Sequence, residues 1–234
     1  MGTTAQAATC KAPAGSPVRP VVELFTSEGC NSCPPADRWL ASFAAATERK
    51  AIALAYHVDY WDYIGWKDRF ADPAFGALHR DRVDAAGGRV RYTPQVFVDG
   101  QEFGAWRRGA VPTAQKPSAI SASFHHGAIE PGQVLAVSLR VEGAIPPDSR
   151  ATVALLEHGL VSDIGAGENR GAVLRHDAVT RAFQESALPQ NDVTIEVELQ
   201  VPPDLAARRS EVAVIIRDGN GTTLQSLAGR DCNE

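Results

Sequence analysis

Val21-Val22-Glu23-Leu24-Phe25-Thr26-Ser27-Glu28-Gly29-Cys30-Asn31-Ser32-Cys33-Pro34-Pro35-Ala36-Asp37 is the stretch that decides how this chain is read. Val21 to Phe25 is a short apolar run of the kind that forms a buried strand. Ser27-Glu28-Gly29 ends it. Pro34-Pro35 opens a helical pattern with Trp39, Leu40, Phe43 and Ala44 on one face. Two prolines fit only a first turn, where the missing N–H groups have no intrahelical partner. Cys30 and Cys33 therefore stand between a strand and a helix N-terminus. Unpaired N–H groups and a partial positive charge there stabilise a thiolate, which lowers the thiol pKa and sharpens the sulfur as a nucleophile. With two residues between them, the second sulfur can resolve a mixed disulfide made by the first. The spacing predicts Cys30 as the exposed attacker and Cys33 as the buried resolver. The pair also fits a static disulfide, or half of a metal site. Zinc sites take about four ligands, and the chain has no second Cys-X-X-Cys.

Outward from this stretch, strand and helix signals alternate. Ala51 to Val58 reads as a second buried strand. Asp72-Pro73 is an N-cap followed by proline at the first helical position; Phe75, Leu78 and Val83 continue that helix and Gly87-Gly88 stops it. Gln95 to Val98 is a strand that turns at Asp99-Gly100, a strong hairpin signal. Ala119 to Phe124 reads as a short helix. Between the second strand and the second helix lie His57, Asp59, Tyr60, Trp61, Asp62, Tyr63 and Trp66. We take His57, Asp59, Tyr60 and Trp61 as candidate substrate-binding residues, since amphipathic rings beside a reactive thiol suit a groove for a peptide or organic molecule. A packed loop is the alternative. His57 alone fits a proton shuttle, a copper or zinc ligand with Cys30 and Cys33, or a core histidine. Arg80, Arg82, Arg89, Arg91, Arg107 and Arg108 read as a solvated face.

The second half is antiparallel β in pattern. Val193, Ile195, Val197, Leu199 and Val201 alternate with polar residues, and Val212, Val214 and Ile216 repeat the rhythm, as strands with one wet face do. Leu135 to Val141, Ala151 to Glu157, Val173 to Phe183 and Thr222 to Leu227 are further strands, together suggesting a small sandwich. All Trp and Tyr residues fall between Trp39 and Trp106, and every Phe but Phe183 lies at or before Phe124. The expected organisation is an N-terminal tail over 1–17, a first domain over 18–127 and a β-sandwich-like domain over 128–234. The formal net charge of −5 lacks the basic footprint of a nucleic-acid binder. No run reaches the roughly 18 apolar residues of a membrane helix, so neither nucleic acid nor a membrane span is expected.

Four cysteines suit an oxidising compartment. Cys10 and Cys232 lie near opposite ends, and a bridge between them would close a loop worth on the order of 5 kcal/mol; two free thiols are the alternative. Ala5-Gln6-Ala7 matches the small-residue pattern before a signal-peptidase cut. Both features point to a periplasmic or secreted protein.

Strand, Cys-X-X-Cys and helix, followed by Tyr92-Thr93-Pro94-Gln95 before a strand, resemble a thioredoxin fold over about residues 18–125. The resemblance implies a cis-proline at Pro94 lying against the cysteine pair, with Thr93 and Pro94 presenting backbone to a substrate. It also implies a buried acid relaying a proton to the second cysteine. Glu23 is the candidate, although it stands one residue from the usual spacing and a one-residue slip turns a side chain to the other sheet face. An edge or solvent-facing Glu23 is the alternative. Gly29, Asn31-Ser32 and Pro34-Pro35 depart from the thioredoxin pattern, and no positive side chain lies between Glu28 and Asp37. More narrowly, the opening stretch, His57 to Asp68, Tyr92 to Gln95, Glu168-Asn169-Arg170-Gly171 and His176 resemble the exported bacterial family called domain of unknown function 1223. This implies an α/β thioredoxin-like domain, export, and a C-terminal antiparallel β domain. It implies no reaction.

The expected function is an exported thiol–disulfide oxidoreductase. Its catalytic residues would be Cys30, Cys33, Thr93, Pro94 and Glu23, with no cofactor beyond the redox-active disulfide. Its partners would be a thiol or disulfide substrate, protein or small molecule, and a redox partner protein. The alternatives are a copper- or zinc-handling protein using Cys30, Cys33 and His57, and a non-catalytic binding module.

Overall fold

The computed structural model describes residues 8–44, 50–113 and 116–232. The Ala5-Gln6-Ala7 pattern lies outside them. In chain order the first elements are β1 (Ala8–Ala12), β2 (Val21–Thr26), α1 (Pro34–Ala44), β3 (Ile52–His57), α2 (Pro73–Ala85), β4 (Gln95–Val98) and β5 (Gln101–Glu102). Then come β6 (Ser121–His126), β7 (Val134–Glu142), β8 (Arg150–Glu157), β9 (Leu160–Asp163) and β10 (Val173–His176). The last are β11 (Val179–Ala187), β12 (Val193–Gln200), β13 (Ser210–Arg217) and β14 (Thr223–Ala228). Short 3-10 turns cover Asp59–Ile64 and Gly104–Arg108, among others.

The chain forms two compact units, and neither is one continuous stretch. One comprises the described residues of Met1–Pro20, Thr113–Glu157 and Thr180–Glu234; the other comprises Val21–Pro112 and His158–Val179. The consecutive ranges 18–127 and 128–234 divide the chain differently. Part of the expected N-terminal tail is β1, paired antiparallel with β6 from Ala8↔His126 to Ala12↔Ala122.

The first unit is a β-sandwich. One sheet runs β1-β6-β7-β12, every neighbour antiparallel. In the other, β13 lies between β14 and β8, again antiparallel. Strict alternation builds its core: in β7, Leu135, Val137, Leu139 and Val141 turn inward while the residues between them face outward. These pack with Phe124, Val153, Leu155, Val197, Val212, Val214 and Ile216. Each such side chain contributes about 1.5–3 kcal/mol when fully buried.

The second unit carries the cysteine pair. Its sheet runs β3-β2-β4-β5. β2 is parallel to β3 and antiparallel to β4, and β4 turns into β5 at Asp99 (φ 47°) and Gly100 (φ 81°), a geometry two-residue hairpins favour. Successive strand residues face opposite sides. Val22 and Leu24 of β2 pack under α1 with Trp39, Leu40 and Phe43. Phe25 turns the other way and stacks on His79 of α2 at 4.0 Å. β9 and β10 form an antiparallel hairpin.

The expected α/β thioredoxin-like domain is overturned. The chain is mostly antiparallel and mixed β-sheet, a β-sandwich-like fold, and α-helix among the described residues is confined to α1 and α2. A strand–Cys-X-X-Cys–helix motif fixes one local step and leaves the remaining chain free to choose strands. The expected helix at Ala119 to Phe124 shows how: Ala122, Phe124 and His126 alternate inward, and the segment is β6.

Candidate functional site

The turn after β2 is tightly bonded. The Cys30 N–H donates to the Ser27 carbonyl at 3.2 Å and the Cys33 N–H to the Cys30 carbonyl at 3.2 Å. Cys30 and Cys33 form a disulfide, with their Cα atoms 5.5 Å apart. Both are 0% exposed, so Cys30 is not the exposed sulfur the spacing predicted; Asn31 and Ser32 between them are exposed. Gly29 sits at a close approach, where a Cβ would stand 3.0 Å from the Trp61 Cβ and push it back by a few tenths of an ångström. At the helix start, Pro34 and Pro35 offer no N–H. Those of Ala36 and Asp37 donate to the Cys33 carbonyl at 2.9 and 3.2 Å.

Of the residues expected nearby, some gather and some do not. The Thr93–Pro94 peptide is cis. Ser32 Oγ lies 3.3 Å from Cys30 Sγ and donates to the Thr93 carbonyl at 3.3 Å. Trp61 Nε1 donates to Thr93 Oγ1 at 2.7 Å. Thr93 and Trp61 are thus tied to the cysteine turn. Tyr60 instead meets His79 of α2 at 3.4 Å, with the Arg91 guanidinium 5.5 Å from its ring centre. Burial pushes the Tyr60 phenol up to about 12 and the His79 imidazole down to about 4. Asp59 Oδ1 lies against Gly76, also in α2. Glu23 is wholly buried, and its carboxylate accepts from Arg82 Nε at 3.1 and 3.2 Å. By alternation along β2 it is on the sheet face opposite α1.

His57 belongs to a buried charged cluster. Its Nδ1 is 2.7 Å from Asp68 Oδ2. The same oxygen accepts from the Glu28 N–H at 2.9 Å, and Asp68 Oδ1 accepts from the Phe70 N–H at 2.9 Å. Glu28 accepts from Trp66 Nε1 at 2.8 Å, and its other oxygen faces His176 Nε2 at 3.3 Å. The latter contact lacks hydrogen-bond alignment. The His57 and His176 rings meet edge to face at 4.9 Å. His57 Nε2 and His176 Nδ1 are buried without a hydrogen-bond partner. Burial disfavours the charged form of each group, but it is outweighed by charge pairing for His57 and Asp68 and by polar contacts for Glu28. Asp68, Asp37 and Glu28 together raise the His57 pKa. His57 lowers that of Asp68, and contacts with His176, Ser162 and Trp66 lower that of Glu28. Asp37 in α1, held by Thr26 Oγ1 at 2.9 Å, goes the other way: burial raises its pKa.

The β9–β10 hairpin supplies residues whose role the sequence left open. Asn169 Nδ2 donates to the carbonyls of Glu28 at 2.8 Å and Cys30 at 3.0 Å. Glu168 Oε2 accepts from the Asn31 N–H at 3.2 Å. Ser162 and His176 lie on the paired strands. The available signal was the run of polar residues Glu168, Asn169 and His176 among strand residues. A small cleft of about 110 Å³ lies beside the helix start, lined by Pro34, Asp37, Arg38 and Val173 to Arg175; it has room for a few waters only. Among the described residues no group of three or more His, Cys, Asp or Glu side chains is placed to hold a metal ion, and Cys30, Cys33 and His57 make no such group. No described helix is long and apolar enough to cross a membrane.

A family model described as "Protein of unknown function (DUF1223)" matches residues 21–217. No curated protein matches the chain. Among solved structures, the chain is similar to protein AGR_C_4864 of Agrobacterium tumefaciens, with a TM-score of 0.62 and 21% identity over 91% of this chain and 94% of that one. It is also similar to HBP35 of Porphyromonas gingivalis, with a TM-score of 0.64 and 14% identity over 91% of this chain and 74% of that one. At these identities the likeness is one of fold.

Proposed function

We propose, for a chain that belongs to the domain of unknown function 1223 family, a reaction that this membership does not supply: thiol–disulfide exchange at Cys30 and Cys33. The observation that carries the reading is the disulfide itself, between cysteines three residues apart at the start of a helix. A structural crosslink over so short a span restricts little chain, so its use lies in opening and closing.

In the oxidising direction, a substrate thiolate attacks Cys30 Sγ. The Cys30–Cys33 bond breaks, and Cys33 leaves as a thiolate and takes up a proton. A second substrate thiolate then attacks the substrate sulfur of the mixed disulfide and releases Cys30, which is protonated in turn. Two electrons and two protons pass from the substrate dithiol to the cysteine pair. The reducing direction is the reverse. Thr93 and Trp61, tied to the turn, form the wall on which substrate backbone would rest. No cofactor is needed; a thiol or disulfide substrate and a redox partner protein complete the cycle. Two disulfides in one chain suit an oxidising compartment, and we place the protein in the periplasm or outside the cell.

Cys33→Ser leaves a mixed disulfide on Cys30 without its resolving thiol. The expected result in the native compartment is a covalent adduct, released by reductant, that Cys30→Ser does not form. Absence of any adduct, together with absence of dithiol-dependent reductase activity in the parent protein, overturns the reading.

A further inference from the structure

A sulfur that exchanges disulfides must be reached along the S–S axis, and neither cysteine exposes any surface. Some contact must therefore yield before a thiol arrives. The candidates are the bonds that hold the turn 28–31. Within the turn, the bonds are short-range and keep its shape. Across sequence separations of 137 to 141 residues, three bonds come from one place, the tip of the β9–β10 hairpin: two from Asn169 Nδ2 to the Glu28 and Cys30 carbonyls, one from the Asn31 N–H to Glu168.

As strands, the two arms of the hairpin form a two-stranded sheet of their own, although Arg69 donates to the Val161 carbonyl and Gly165 and Gly167 lie close to Trp66. β9 and β10 pair with each other. The tip is closed by its own bonds, from the Gly171 N–H to the Ile164 carbonyl at 2.7 Å and from the Ile164 N–H to the Ala172 carbonyl at 2.9 Å. It can shift without losing its internal ladder. Its tip is the partly exposed end, with Glu168 exposed and Asn169 half-buried, whereas Ser162 and His176 are buried beside Glu28.

We propose that the β9–β10 hairpin gates the cysteine pair and that Asn169 is its latch. Asn169 is a positioning residue: its amide holds the backbone on both sides of Gly29 and so keeps Cys30 covered until a substrate displaces it. This deepens the reading of the pair as redox-active and rests on it. A protein substrate offering its own backbone amide to the Cys30 carbonyl would replace the Asn169 bonds; a small thiol would have to wait for the tip to open. The gate thus favours extended protein substrates over small thiols.

The test uses the full-length oxidised chain and dithiothreitol as the probe. The rate of reduction is followed at each disulfide separately by alkylation and peptide mass. Asn169→Ala removes two neutral hydrogen bonds, and the expected result is an acceleration of Cys30–Cys33 reduction on the order of tenfold. The Cys10–Cys232 rate should not change, because that disulfide belongs to the other unit. Asn169→Asp, the same size but without the donor, should accelerate equally and guards against a misfolded alanine variant. Glu168→Gln, which keeps an acceptor for Asn31, should have little effect. Equal acceleration of both disulfides, or Cys30–Cys33 reduction within twofold of the parent, overturns the gate. A latch effect alongside failed trapping in Cys33→Ser and no dithiol-dependent reductase activity in the parent would leave the gate standing and sink the oxidoreductase reading alone.

Discussion

The two disulfides of this chain are chemically the same bond in opposite settings. Cys10–Cys232 spans 222 residues and joins an apolar cluster with Phe124, Val212 and Leu227. Cys30–Cys33 spans three and sits in a turn tied to Asp68, Thr93, Glu168 and Asn169. The first restricts nearly the whole unfolded chain and has little polar machinery near it. The second restricts almost none and is surrounded by groups that titrate or donate. Loop length and neighbourhood together separate a clasp from a reactive pair, where a cysteine count cannot.

The largest effect expected from this contrast is on stability. Replacing Cys10 and Cys232 together by Ser should cost about 5 kcal/mol, and replacing Cys30 and Cys33 together about 2 kcal/mol, from the loop lengths alone. Chemical denaturation of the two double variants measures the difference directly. Equal costs would break the distinction, because they would make Cys30–Cys33 as structural as its counterpart.

Next comes the charged cluster behind the reactive pair. Asp68→Ala leaves His57 buried without its counter-ion and the Glu28 N–H without its acceptor, and should cost about 3–5 kcal/mol. The pH dependence of the parent follows from the same cluster. His57 has a raised pKa in the folded protein, so its contribution is complete below the ordinary histidine value and is lost as pH rises through the raised one. Asp68 and Glu28 have lowered values. Their contributions are present above the ordinary carboxylate range and lost as pH falls through the lowered values. Stability should therefore be greatest between these limits and decline on both sides. Asp68→Asn should flatten the alkaline decline, because it removes the largest charge that holds the His57 proton. Denaturation midpoints across a pH series check this; an unchanged alkaline limb in Asp68→Asn contradicts it.

The legible part of the molecule was local. Cys-X-X-Cys before a double proline placed the turn and α1, and the Asp99-Gly100 signal placed the β4–β5 hairpin. Strict alternation placed β7, β12 and β13. What failed was whatever depends on partners far along the chain. No positive side chain near Glu28 in sequence marks it as partnered, because its neighbours Trp66 and His176 lie 38 and more residues away, His176 on a hairpin of the second half. The roles of Asn169 and Glu168 stayed open because nothing in their own neighbourhood says which backbone they bond. Glu23 allowed a proton relay or an edge, solvent-facing acid; its complete burial removes the edge reading, and the side chain that partners it, Arg82, comes from a helix whose packing face only the sheet determines. The α/β reading failed similarly: one strand–helix step was clear, and the strands added around it were not implied by it.

The smallest expected effect concerns how reactive the pair is once opened. Helix N-termini favour thiolates through free N–H groups and the helix dipole, but in α1 the first two residues are prolines, and the next two N–H groups are already bonded to the Cys33 carbonyl. Only the dipole is left. Pro35 is exposed, so Pro35→Ala restores one unbonded N–H with little disturbance of the packing. An added charge interaction at a helix start is worth about 0.3–1 kcal/mol, which is less than one pKa unit. The reduced variant should therefore show a thiol pKa lower by several tenths and about two- to fivefold faster alkylation at neutral pH. The matching alkylation profile of Cys10 and Cys232 should not move. A shift of that size would mean that the prolines hold the reactive pair toward the thiol, making the disulfide harder to reduce and the dithiol the better electron donor. No shift would mean that the helix end does not reach the sulfur, and that the contrast between the two disulfides lies in burial and the charged cluster alone.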